Sequence, residues 1–173
     1  MLGADQAAMG ESSSPRIPEV GDTPTIESLQ KKKGAVVLVL GSIETGKTVF
    51  SHRLAELIGR PTYAISPEQK PPSWITPLKL EQVSEYPPPF STLILDDLPV
   101  YMSSRDYSKK LVQVVERLIP VVRHKRKLIL IFCAQSSALV DRFVLSANTV
   151  FLKPLSPMFG DLERPAVARL YKD

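Results

Sequence analysis

Cysteine is almost missing from this chain, which has one, Cys133, in 173 residues. A lone thiol forms no internal disulfide and has no cysteine partner for a zinc site, so the fold has to stand on its apolar core. Histidine is nearly as scarce: His52 and His124 have no second histidine or thiol at ligand spacing, and neither reads as a metal ligand. Aromatic residues make up 7%. Trp74, Tyr63, Tyr86, Phe90, Tyr101 and Tyr107 lack the basic-aromatic interleaving of a single-strand-binding surface and read as core or loop packing. No apolar run approaches the roughly 18 residues a membrane span needs, and no basic-then-apolar leader opens the chain, so a soluble, cytoplasmic protein is expected. No internal repeat is visible. Charge of either sign is in small excess only: 22 Lys+Arg stand against 18 Asp+Glu, a formal +4 with pI near 9.2, which permits an anionic partner without requiring one.

The length and 43% hydrophobic content fit one core. Residues 1–33 are rich in Ser, Pro, Gly and Asp and read as a flexible N-terminal arm, with 25–33 able to form a short helix or strand; residues 34–173 form the expected folded domain. AVVLVL at 35–40 is a continuous aliphatic run, the pattern of a strand buried on both faces of a parallel sheet. Residues 48–58 carry Val49, Leu54, Leu57 and Ile58 at helical spacing and stop at Gly59. A weaker strand is expected at 62–66, then an irregular proline-rich stretch, PEQKPPSWITP, and a strand or short helix near 78–83. STLILDD reads as a buried strand tipped by two acids, 107–119 as an amphipathic helix, LILIFCAQ as a third buried strand with Cys133 a small core residue, and 149–153 as a fourth. Strands alternating with helices predict a three-layer α/β fold with a mainly parallel central sheet, whose functional loops lie at the strand C-termini.

The most specific chemical signal is Gly41-Ser42-Ile43-Glu44-Thr45-Gly46-Lys47-Thr48, a full match to G-x-x-x-x-G-K-[ST] between an expected strand and an expected helix. Phosphates concentrate negative charge, so loop N–H groups and the positive helix end can wrap them where glycine lets the backbone approach. Lys47 is the cation for the β/γ-phosphates and the Thr48 hydroxyl a ligand for Mg²⁺. Asp96 is assigned to the Mg²⁺ shell and Asp97 to the attacking water. Gln135, at the tip of a neighbouring strand, is placed to sense the γ-phosphate.

GSIETGKT, LILDD, VVRHKRKLILIFCAQ and LVDRFVLSANTVFLKP, in that order over residues 35–153, resemble an ASCE-type P-loop ATPase of the FtsK/HerA superfamily, with viral genome-packaging ATPases the nearest pattern. The resemblance implies a RecA-like sheet, a homo-oligomeric ring, usually hexameric, and Mg²⁺-dependent ATP hydrolysis coupled to translocation of double-stranded DNA. For a viral protein the location would be the host cytoplasm, and a capsid or portal protein a further partner. It makes Lys47 and Thr48 the nucleotide and Mg²⁺ residues, Asp96 the metal-shell acid, Asp97 the catalytic acid and Gln135 the sensor. It also implies an arginine acting across the subunit boundary, with Arg123 the first choice and Arg105, Arg126 and Arg142 its competitors. Two departures from the family pattern stand out: Ile43, Glu44 and Thr45 replace the small or Gly residues common in the middle of the loop, and Asp97 stands where Glu is more usual. These departures keep open an ATP-dependent switch or assembly protein with slow, DNA-independent hydrolysis. A small-molecule kinase would need an arginine-bearing lid, and none is evident after the core helices. In residues 105–127 eight basic side chains face only Asp106 and Glu116, compatible with sequence-independent grip on a phosphate backbone or with a solvated helix face and loop.

Overall fold

The structure, a computed structural model, describes residues 26–42, 44–66, 70–84, 87–96, 113, 118, 122, 126–135 and 147–153. In chain order these form α1 (Ile26–Lys31), β1 (Ala35–Leu40), α2 (Lys47–Ile58), β2 (Thr62–Ile65), β3 (Ile75–Pro77), a 3₁₀ turn (Leu80–Ser84), β4 (Thr92–Leu95), β5 (Ile129–Ala134) and β6 (Thr149–Leu152). The six strands make one sheet in the order β3-β2-β4-β5-β1-β6, and every pairing is parallel. This is the α/β architecture expected from the alternating pattern.

The aliphatic runs explain the centre of the sheet. All six residues of β1 and all six of β5 are buried, as are the four of β4. Alternate side chains fall on opposite faces. Val36, Leu38, Leu40, Leu93, Leu95, Leu130 and Phe132 build one core with Leu80, Val83, Leu118 and Val122. Val37, Val39, Ile94, Ile129, Ile131 and Cys133 build the other with Leu29, Leu54, Ala55 and Ile58. A sheet covered on both faces is the three-layer arrangement.

Several sequence expectations are refined. Residues 26–31, inside the segment read as an arm, form α1, and Leu29 is fully buried in the core beneath α2. Burying a leucine contributes about 1.5–3 kcal/mol, so the packed structure begins before residue 34. Val49, expected on the core face of the first long helix, is 72% exposed; the buried stripe of α2 is Lys47, Ser51, Leu54, Ala55 and Ile58, one helical face from which Val49 is displaced. The proline-rich stretch contains β3, which the prolines had argued against. An edge strand pairs on one side only, so Pro77, at its end, breaks no rung of the ladder. The helix expected over 107–119 lies outside the described residues except for Gln113 and Leu118, which are helical. Among the described residues no helix is long and apolar enough to cross a membrane.

Arg60 ties the end of the sheet opposite the strand tips. Its guanidinium donates to the carbonyls of Lys32 (2.6 Å), Gln30 (3.1 Å) and Lys127 (3.3 Å), joining α1 and its exit to the start of β5.

Candidate nucleotide site

β5 lies between β1, which carries the glycine loop, and β4, which carries the acids. One strand thus separates the strand that carries the glycine loop from the strand that leads into Asp96. Cα pairing sets Leu40 against Ala134 on one side and Leu152 on the other. Gly41, Gln135 and Lys153 therefore form the next row, just past the paired strands. Their positions are fixed by the ladder: Gly41 N–H donates to Ala134 O at 3.2 Å and Lys153 N–H to Leu40 O at 2.8 Å.

The loop is tight at its first glycine. A Cβ on Gly41 would lie 2.7 Å from the Lys153 Cβ and 2.9 Å from the Thr45 Oγ1, so no side chain fits there. The Ser42 carbonyl then draws the loop closed. It accepts from Lys47 Nζ at 2.7 Å, from the Thr45 hydroxyl at 2.8 Å and, more weakly, from the Thr45 N–H at 3.4 Å. Glu44 and Gly46 both take left-handed backbone, φ 63° and 74°. Glu44 is exposed, so its charge stands toward solvent. Gly46 caps α2 without a side-chain hydrogen bond, and no acid occupies the first helical turn. The positive end of the helix dipole at that terminus favours an anion. Lys47 is buried at the base of the loop and Thr48 half-buried beside it. Ile43 lies outside the described residues.

Asp96 is the first residue after β4, its N–H donating to Ile65 O at 3.0 Å. It is 1% exposed. Its Oδ2 accepts from Ser66 Oγ at 3.4 Å, while Oδ1 is buried without a hydrogen-bond partner among the described residues. Asp96 and Lys47 converge on the tip of β5. The buried Cys133 thiol, 2.8 Å from Ser51 Oγ, is pushed well above its usual range by burial first and then by the charge of Asp96 and a side-chain hydrogen bond to it, with Ser51 and the Lys47 cation pulling the other way. His52 is held below its ordinary value by burial, against the pull of Asp96, and its Nε2 is buried with no partner among the described residues.

A buried carboxylate whose Oδ1 has no hydrogen-bond partner among the described residues, across β5 from a lysine and a threonine hydroxyl, fits the needs of a hydrated Mg²⁺. Asp96 and Thr48 are the residues that would hold it, and when bound it would neutralise charge on phosphate oxygens. Gln135 is half-buried at the tip of β5, between the two sides.

Asp97, Arg123, Arg105 and Arg142 lie outside the described residues. Arg126 and Lys127 stand at the other end of β5 from the loop. Arg126 donates to Val83 O at 3.0 Å, and the Lys127 ammonium sits 4.8 Å from the Phe90 ring centroid. One residue the sequence did not single out is Lys153. A basic residue closing a strand was visible, but only the pairing of β6 with β1 places it against the loop.

No family model and no curated protein matches the chain. Solved structures do resemble it. A DNA polymerase III gamma subunit-related protein from Thermotoga maritima aligns with TM-score 0.51 and 12% identity over 79% of this chain, which spans 47% of that protein's length. A KaiC-like protein from Pyrococcus horikoshii aligns with TM-score 0.51 and 17% identity, covering 71% of this chain and 72% of its own. The P-loop NTPase domain of a sigma-54 transport activator from Escherichia coli aligns with TM-score 0.46 and 14% identity over 75% of this chain and 89% of that domain. At these identities the first two likenesses concern the fold, and with the strand order they make it a RecA-like P-loop NTPase fold.

Proposed function

We propose that this chain is an Mg²⁺-dependent ATPase subunit that assembles with its own copies and drives double-stranded DNA, with viral genome packaging the setting favoured by its motifs. The observation that carries the ATPase reading is the meeting of a buried Lys47 and a buried Asp96 on either side of β5, below a loop and helix end open to an anion. A phosphate oxygen replaces the Ser42 carbonyl as acceptor for Lys47. Asp97 activates water, Gln135 reads the γ-phosphate, and Arg123 reaches the site from a neighbouring subunit. The DNA step rests on the ordered motifs and on the basic run at 105–127.

The test is steady-state ATP hydrolysis with Mg²⁺, with and without long double-stranded DNA, at two salt concentrations. Stimulation by DNA that weakens steeply with salt, and loss of turnover by about 100-fold or more in Lys47→Ala, are expected. ATP binding with turnover indifferent to DNA would reject the motor. That result would favour the second reading, a nucleotide-dependent switch, which Asp97 supports because its carboxylate reaches less far than that of glutamate.

A further inference from the structure

We infer that Lys153 is a second cation of the nucleotide site, one that holds the α-phosphate of a nucleoside di- or triphosphate bound in the loop; this rests on the nucleotide-binding reading above. The strand order gives the direction. Asp96 and Gln135, the groups suited to the γ-phosphate, lie at the tips of β4 and β5, on one side of β1. β6 lies on the other side. A polyphosphate whose γ end faces β5 and β4 therefore points its α-phosphate and ribose toward β6.

Lys153 is the residue that β6 delivers there. Its stem runs against the first glycine of the loop, since a Cβ on Gly41 would come 2.7 Å from the Lys153 Cβ. Its ammonium reaches the last glycine, 3.8 Å from where a Gly46 Cβ would stand, and rests 5.4 Å from the centroid of the Phe50 ring in the first turn of α2. The side chain thus follows the outer flank of the loop from end to end. Three features hold it: the backbone bond from Lys153 to Leu40, the edge-to-face packing of Phe50 on Phe151 at 5.1 Å, and the contact with Gly41. A positioned cation beside an uncapped helix N-terminus adds to the same anion site. Lys47 covers the β/γ end, and Lys153 covers the end it does not reach.

The experiment measures affinities of the full chain for fluorescent ADP and ATP analogues with Mg²⁺, in wild type, Lys153→Met, Lys153→Gln, Lys153→Arg and Lys47→Ala, across a salt series. Met and Gln keep the stem against Gly41 and remove the charge. Because both nucleotides carry an α-phosphate, Lys153→Met and Lys153→Gln are expected to weaken ADP and ATP by the same factor, about tenfold. Lys153→Arg should retain most of the affinity, and the salt dependence of binding should become shallower in the neutral variants. Wild-type affinity in both neutral variants, or a loss confined to ATP, overturns the assignment and leaves the nucleotide site standing. Failure of the wild type to bind either nucleotide overturns the nucleotide reading itself and this inference with it.

Discussion

Glu44 shows how competing effects of similar size are separated. Its left-handed backbone, φ 63°, costs a non-glycine residue about 1–2 kcal/mol, whereas glycine there loses about 0.5–1 kcal/mol through unfolded-chain entropy. These nearly cancel, so Glu44→Gly should leave unfolding free energy within about 1 kcal/mol of wild type in a denaturant titration. The charge has no such counterweight. Removing an exposed negative group from the rim of an anion site should tighten ATP binding at low salt, with the two proteins converging at high salt. His52 makes a second prediction. Burial lowers its folded-state pKa, so the unfolded chain takes up its proton at higher pH than the native one. Stability is therefore complete above the ordinary value near 6.5 and falls as pH drops through the folded pKa. His52→Gln should flatten that part of a stability-against-pH profile; an unchanged profile would show that His52 does not set it. Among single residues, the glycine loop and Asp96 were legible in the sequence because their spacing and their place at strand tips are local properties. Glu44's outward stance and the Asp96 oxygen without a partner among the described residues were not, since both depend on how the loop turns and what packs over β4.

At the scale of elements, β1, β4 and β5 were readable because a strand buried on both faces has to be an unbroken aliphatic run. The strands at 62–65 and 149–152 were readable too, but the order of the sheet was not, because pairing is set by contacts between segments far apart in the chain: β6 follows β5 in sequence but lies on the far side of β1. β3 was hidden for another reason, the tolerance of an edge strand for proline at its end. The junction of β1, β6 and α2 at Gly41 has no slack. Gly41→Ala forces a methyl against the Lys153 Cβ and the Thr45 hydroxyl, and overpacking of this kind costs about 1–3 kcal/mol. Thermal unfolding should register that loss, and nucleotide affinity should fall with it because the loop and β6 shift together. Arg60→Ala provides the contrast. It releases carbonyls of α1 and of the β5 entry at the opposite end of the sheet, so it should lower stability by about 1–3 kcal/mol while the affinity of the remaining folded protein for ATP stays the same.

At the scale of the whole molecule, the ring and the arginine supplied across a boundary belong to the motif likeness, and one mixing experiment tests both. In a monomeric enzyme, Lys47→Ala and Arg123→Ala are each inactive and remain so when mixed. In a ring with Arg123 acting in trans, a catalytic interface draws Lys47 from one subunit and Arg123 from the next. An Arg123→Ala subunit still offers an intact loop, and a Lys47→Ala neighbour still offers an intact arginine. Random assembly at equal proportions makes about one interface in four complete. ATP turnover should therefore rise from near zero for either variant alone to a maximum at equal proportions and fall again on both sides, once subunits have been allowed to exchange. The order of the pair matters too: a double variant carrying both substitutions, mixed with wild type, supplies neither half and can only dilute activity. No recovery at any ratio, in preparations shown by light scattering to form mixed assemblies, would remove Arg123 from the trans role and turn the same test to Arg105 and Arg142.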